Sequence, residues 1–159
     1  MSVILPGSYD PITKGNLDII ERVAEREGEV YVVEFINPEK KYLFPLEDRV
    51  AMMMLALDHL DNCIVSYSTG RVVDYMRDHG IERIVKGYRN DADLEYERRQ
   101  AEYNLLHGGF DTEFMLSRDE YRTFSSTKVR EALRSGEDIS SLVPRRVAEY
   151  ISGLDLKFD

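Results

Sequence analysis

Four short stretches of this chain gather hydroxyl, amide and cationic side chains, the donors that bind anions. The first is Pro6-Gly7-Ser8-Tyr9-Asp10-Pro11-Ile12-Thr13-Lys14-Gly15-Asn16. It lies between a short apolar run, residues 3–5, and an amphipathic segment, residues 17–26. A strand, a Gly/Pro turn and a helix in that order leave the first N–H groups of the helix unpaired and facing the turn, where they favour an anion. Gly7 and Gly15 let backbone come close to a ligand. Ser8 and Thr13 add hydroxyls and Asn16 adds an amide. The expected chemistry is a phosphate cradle. From the glycines alone, an ordinary strand-to-helix turn fits equally well.

The second stretch, Asn37-Pro38-Glu39-Lys40-Lys41, sits beyond a second apolar run. A lysine pair in a loop is usually a solvated surface feature, and only its position argues for a ligand. In the third, Lys86-Gly87-Tyr88-Arg89, Lys86 ends an apolar run. A lysine there needs an anion or a partner, because an unpaired buried charge is costly. A salt bridge to Asp91 or Asp93 is the plain alternative. The fourth, Ser125-Ser126-Thr127-Lys128-Val129-Arg130, puts three hydroxyls where a helix begins and its dipole is positive. In isolation a simple N-cap is the better explanation of these, and the presence of the first stretch reverses that balance.

Positioning falls to strands expected at residues 3–5, 30–36, 64–67, 83–86 and 112–116. Between and after them come helices expected at 17–26, 45–59, 71–79, 93–106, 125–134 and 145–152. Gly28, Gly80 and Gly108-Gly109 are expected helix stops, and Pro45 and Pro144 expected helix starts. Val50, Met53, Met54 and Leu57 form the expected apolar side of the second helix, with the methionines as core filling. Strands alternating with helices imply an α/β fold: a Rossmann-like, doubly wound sheet of about five parallel strands, helices on both faces, in a single domain spanning residues 1–159. Ligands of such sheets bind outside the carboxyl ends of the strands, where strand order reverses. All four stretches follow a strand or open the helix after one, so the topology brings them to one edge.

Composition agrees. The chain has 159 residues, 43% hydrophobic and 32% charged, enough for one core. Its formal net charge of −9 gives no bulk attraction to nucleic acid, which leaves small anions as the targets of its basic residues. No apolar run approaches the ~18 residues of a membrane span, and no secretory leader is evident, so a cytoplasmic protein is expected. The single cysteine, Cys63, reads as a small buried hydrophobe. His59, His79 and His107 fall near helix C-termini, which the helix dipole explains. They lack metal-ligand spacing, so no protein-held metal is expected.

The first stretch resembles the opening signature of the nucleotidyltransferase superfamily, whose pattern ends in (His/Thr)-x-Gly-His. Thr13 is the residue usual there in phosphopantetheine adenylyltransferases. Asn16 stands in the slot normally held by His. Lys86-Gly87-Tyr88-Arg89-Asn90-Asp91-Ala92-Asp93-Leu94-Glu95-Tyr96-Glu97 resembles that family's Arg-Gly-Leu-Arg, three residues, Asp-Phe-Glu-Tyr-Glu. Residues 124–130 resemble its second signature, Ile-Ser-Ser-(Ser/Thr)-x-x-(Arg/Lys), with Phe124 in place of Ile.

The resemblance implies transfer of AMP from ATP to 4′-phosphopantetheine, giving 3′-dephospho-coenzyme A and pyrophosphate. Mg²⁺ is implied on the nucleotide phosphates. It makes Asn16, Lys40 and Arg89 the catalytic group. It implies that Ser8, Lys40, Val72 and Lys86 hold the acceptor. It places ATP against Ser8, Tyr9, Asn16, Gly87, Tyr88, Arg89, Glu97, Tyr121, Arg122, Thr123, Phe124, Ser125, Ser126 and Thr127. Lys86 replaces an arginine, keeping charge but losing the bidentate fork. A homohexamer and product coenzyme A as a feedback ligand are implied too. Two other readings stand beside it: a nucleotide-binding module without catalysis, which Asn16 and Lys86 motivate, or a nucleotidyltransferase with another phosphorylated acceptor. Thr13 and the Asp-Leu-Glu-Tyr-Glu segment argue against the second.

Overall fold

The structure is a computed structural model that describes residues 1–158. Five strands, β1 (Ser2–Gly7), β2 (Glu29–Phe35), β3 (Cys63–Ser68), β4 (Arg83–Tyr88) and β5 (Thr112–Leu116), form one parallel sheet in the order β3-β2-β1-β4-β5. Runs of Val and Ile suit strands covered on both faces. The register pairs Leu5 with Val32, Val32 with Val65 and Ile4 with Ile84. The chain builds outward from β1 to β3, then crosses back to add β4 and β5 on the other side. Strand order therefore reverses between β1 and β4, and a crevice opens beyond their carboxyl ends.

Helices α1 (Lys14–Ala24), α2 (Leu46–Leu57), α3 (Val72–His79), α4 (Asp91–Gly108), α5 (Ser126–Arg134) and α6 (Arg145–Ser152) cover the sheet. On one face Val3, Leu5, Val30, Val32 and Val85 pack against Ile20 and Val23 of α1, Met52 and Met53 of α2, Val129 of α5 and Val147 of α6. On the other, Ile4, Val33 and Ile84 pack against Tyr75 and Met76 of α3.

Most elements fall where the sequence put them, with instructive shifts. In α2 the buried positions are Arg49, Met52, Met53, Ala56 and Leu57, while Met54 is exposed. The stripe is rotated from the expected one because a charged residue, Arg49, belongs to it. Helix α1 stops at Ala24, before Gly28, whose N–H donates to the Met1 carbonyl. Gly80, Gly109 and Gly136 adopt positive φ; the first two cap α3 and α4. Gly87 and Tyr88 belong to β4 rather than to its exit loop, because β5 extends the ladder to Tyr88.

Candidate active site

The turn after β1 is tightly tied. Tyr9 takes a positive φ of 35°, costly for a residue with a side chain. Its ring is buried and its hydroxyl donates to the Leu5 carbonyl over 2.9 Å. Burial, with help from Glu34 and Glu97, holds that hydroxyl well above the usual tyrosine range, so it stays a donor. Asp10, just before a cis proline, is 1% exposed. Its carboxylate accepts the N–H groups of Leu43 and Phe44 at 2.9 and 3.0 Å. Arg130 of α5 donates to the Asp10 carbonyl at 2.8 Å, and the Ser126 hydroxyl to the Pro11 carbonyl at 2.8 Å. The N-terminal turn, the segment after β2 and the start of α5 are thereby locked together.

Both glycines line the cavity described below, and both also let chain pack closely on chain. A Cβ on Gly7 would lie 3.0 Å from the Tyr9 ring, and one on Gly15 would lie 3.3 Å from the Phe124 carbonyl.

Asn16 is held in an unusual way. Thr13 caps α1, accepting the Asn16 N–H at 3.1 Å, while the Asn16 Oδ1 accepts the Thr13 N–H at 2.9 Å and its hydroxyl at 3.1 Å. A backbone N–H can only donate, so Oδ1 must face Thr13 and the amide NH₂ must face away. Asn16 lines the cavity described next, with its capping bonds using the oxygen alone.

A cavity of about 540 Å³ opens at the reversal point. It brings together Ser8, Tyr9, Asn16, Lys40, Val72, Lys86, Gly87, Arg89, Glu97, Phe124, Ser125, Ser126 and Thr127. Tyr88, Tyr121, Arg122 and Thr123 do not line it. Lys40 Nζ donates to the Ser8 hydroxyl at 2.9 Å, joining two loops at its mouth. Arg89 is clamped by Asp93, with Nε 3.1 Å from Oδ2 and a second N–H 3.3 Å from Oδ1. Asn90 caps α4 through the Asp93 N–H, so Asp93 is itself fixed. Lys86 meets neither of the aspartates that the sequence offered. It donates to the Pro6 carbonyl at 3.1 Å and pairs with Glu97 at 3.2 Å. That approach lacks hydrogen-bond alignment, so the buried Glu97 Oε2 keeps an unfilled acceptor position.

Four further residues of this site escaped the sequence reading. Asp10 showed only as a loop acid, and its burial was not visible. Arg130, which also donates to the Thr127 hydroxyl at 3.1 Å, closes the second signature and lines the cavity. Gln100 and Asn104 line it from α4. Their signal was available: 93, 97, 100 and 104 share one face at helical spacing.

Beneath the loop that carries Lys40 lies a buried pair, Glu34 of β2 and Arg49 of α2, 3.4 Å apart. Burial raises the Glu34 carboxyl to about 8, against the pull of Arg49. A carboxyl raised on folding adds stability below its unfolded range and loses it as pH climbs to its folded value. The expected result is that wild type weakens between the ordinary carboxylate range and about pH 8 relative to Glu34→Gln. Urea unfolding of both at pH 5 and pH 9 checks this. A stability difference that is the same at both values would contradict it.

Loops rich in hydroxyl, amide and cationic side chains meet in one cavity at the reversal point of a parallel sheet, the layout of a nucleotidyltransferase fold, and the chain belongs to the cytidylyltransferase-like family, which matches residues 4–132. It is 40% identical over 153 residues to the phosphopantetheine adenylyltransferases of two Corynebacterium glutamicum strains, R and ATCC 13032, covering 96% of this chain and 96% of each relative. Within the wider family it therefore sits among the phosphopantetheine adenylyltransferases.

Proposed function

We propose that this chain transfers AMP from ATP to 4′-phosphopantetheine, a step of coenzyme A synthesis. An oxygen of the acceptor phosphate attacks the α-phosphorus of ATP. The bond from that phosphorus to the bridging oxygen breaks, and pyrophosphate leaves with the electron pair. Phosphate is already nucleophilic at neutral pH, so the protein's task is to hold two polyanions in line and spread the developing charge. The observation that carries this reading is that one cavity gathers Lys40 with Ser8, Arg89, Asn16 and the N-terminus of α5.

In this account Ser8 and Lys40 hold the acceptor phosphate, with Lys86 and Val72 along its arm. Arg89 and the hydroxyls at 125–127 take the leaving group, and Asn16 donates to the transferring phosphoryl. Glu97, on the cavity wall, stands beside the nucleotide. Tyr121, Arg122 and Thr123, outside the cavity wall, belong to the nucleotide loop. Mg²⁺ would arrive on the ATP phosphates and neutralise part of their charge. The donor set fits an ion carried in this way, since the carboxylates of Asp93 and Glu97 are already paired with Arg89 and Lys86.

The molecule is proposed to act in the cytoplasm; among the described residues no helix is long and apolar enough to cross a membrane. Tyr96, Tyr103, Leu105 and Leu106 of α4 are exposed, which supports assembly of copies, a hexamer by family likeness. Coenzyme A as a feedback ligand would share the acceptor end of the cavity.

Lys40→Ala is expected to lower kcat/KM for 4′-phosphopantetheine by about tenfold or more, the worth of one charge-assisted contact. Lys40 is exposed, so thermal unfolding should be unchanged. Unaltered kinetics would remove Lys40 from the site. A panel of other phosphorylated acceptors tests the substrate: faster turnover with a different acceptor would overturn the assignment.

A further inference from the structure

The Glu34–Arg49 pair has no evident reason to exist as packing. Glu34 is fully buried and Arg49 nearly so, yet their single contact is long, and Glu34 Oε1 and Arg49 Nε have no hydrogen-bond partner. A buried pair so poorly satisfied is weaker than apolar residues of the same volume. Something else must engage the guanidinium. Its carbon lies 3.6 Å from the centroid of the Tyr42 ring.

Tyr42 organises the loop that carries Lys40. Its hydroxyl accepts the Asn37 N–H at 3.0 Å, and the Lys40 N–H donates to the Asn37 carbonyl at 3.0 Å. The Asn37 side chain accepts the Glu39 N–H at 3.0 Å. Residues 37–42 thus close into a ring, and Lys40 Nζ hangs 5.5 Å from the centroid of the same Tyr42 ring. Beyond it, Leu43 and Phe44 are tied to Asp10. One aromatic ring therefore touches the buried cation, the loop backbone and the cation that meets Ser8.

We propose that Glu34, Arg49 and Tyr42 are positioning residues for the acceptor phosphate: Glu34 holds Arg49, Arg49 fixes the Tyr42 ring by cation–π contact, and Tyr42 sets Lys40 at the cavity mouth. Tyr42 does not line the cavity, so it acts through Lys40. The inference rests on the reading of Lys40 as an acceptor-phosphate ligand.

The test separates KM for the acceptor from KM for ATP. Tyr42→Ala is expected to raise acceptor KM by about tenfold, the order of one lost cation–π contact, with ATP KM within about twofold. Tyr42→Phe keeps the ring and should recover most of the loss. The double variant Glu34→Leu/Arg49→Met replaces the pair by apolar volume. It should fold as stably as wild type and still raise acceptor KM, and it decides the matter if Tyr42→Ala unfolds. A stable double variant with unchanged acceptor KM, or one in which both KM values rise equally, would overturn the proposal. Lys40→Ala in parallel distinguishes the two failures. If it leaves acceptor KM unchanged, the Lys40 assignment falls, and the positioning role with it. If it alone raises acceptor KM, only the positioning role falls.

Discussion

Asn16→Asp lowers turnover by about 10²–10³, the loss expected when a positioned transition-state donor is removed. This substitution isolates the donor. Oδ1 keeps the Thr13 capping bonds, so α1 should stay intact. The NH₂ is exchanged for an oxygen that repels the phosphoryl group. Asn16→Ala loses donor and cap together, and its helix would weaken by ~1 kcal/mol as well. In the proposed mechanism the Thr13 clamp would aim a neutral donor worth ~1.5–3 kcal/mol against a charged group. Asn16→His would add charge, and its turnover should exceed that of wild type. The gain should fade as pH rises through the imidazole range, near ~6.5. A fall in rate for the histidine variant, or an unchanged rate for Asn16→Asp, would contradict this account.

Arg89→Ala should cost about as much, roughly 10²–10³ in kcat/KM for ATP. The guanidinium is pre-aimed by Asp93, which also accepts the Arg89 N–H at 3.1 Å. Removing it deletes a donor and leaves an uncompensated carboxylate facing the nucleotide phosphates. The second effect is separable. Arg89→Ala/Asp93→Asn keeps the first loss and lifts the repulsion, so it should bind ATP more tightly than the single variant. Calorimetric titration with a non-hydrolysable ATP analogue measures this. Equal affinity in the single and double variants would show that Asp93 matters only as a helix residue.

Alternation of apolar runs with helical segments is enough to bring the four stretches to one edge of a parallel sheet, because connection rules leave few topologies open. Strand β5 and helix α6 matched their expected bounds, since turn residues bracket each. What stayed hidden were the partners. Nothing local says that Asp10 turns inward to receive Leu43 and Phe44, or that Lys86 finds Glu97 rather than Asp91 or Asp93. Those bonds join residues distant in sequence or a helical turn further along. Gly7 and Gly15 line the cavity, but a glycine reveals only that something is close, and the crowding by the Tyr9 ring and the Phe124 carbonyl has no local signal. Met54 was misplaced because Arg49 holds a core position that hydrophobic periodicity assigns to no charge.

The most direct measurement of the central claim is pyrophosphate release from wild type given ATP and 4′-phosphopantetheine, set beside calorimetric binding of each. Release should require both substrates together, and each should bind alone. Tight ATP binding with no pyrophosphate released in the presence of the acceptor would show a nucleotide-binding module in place of an adenylyltransferase.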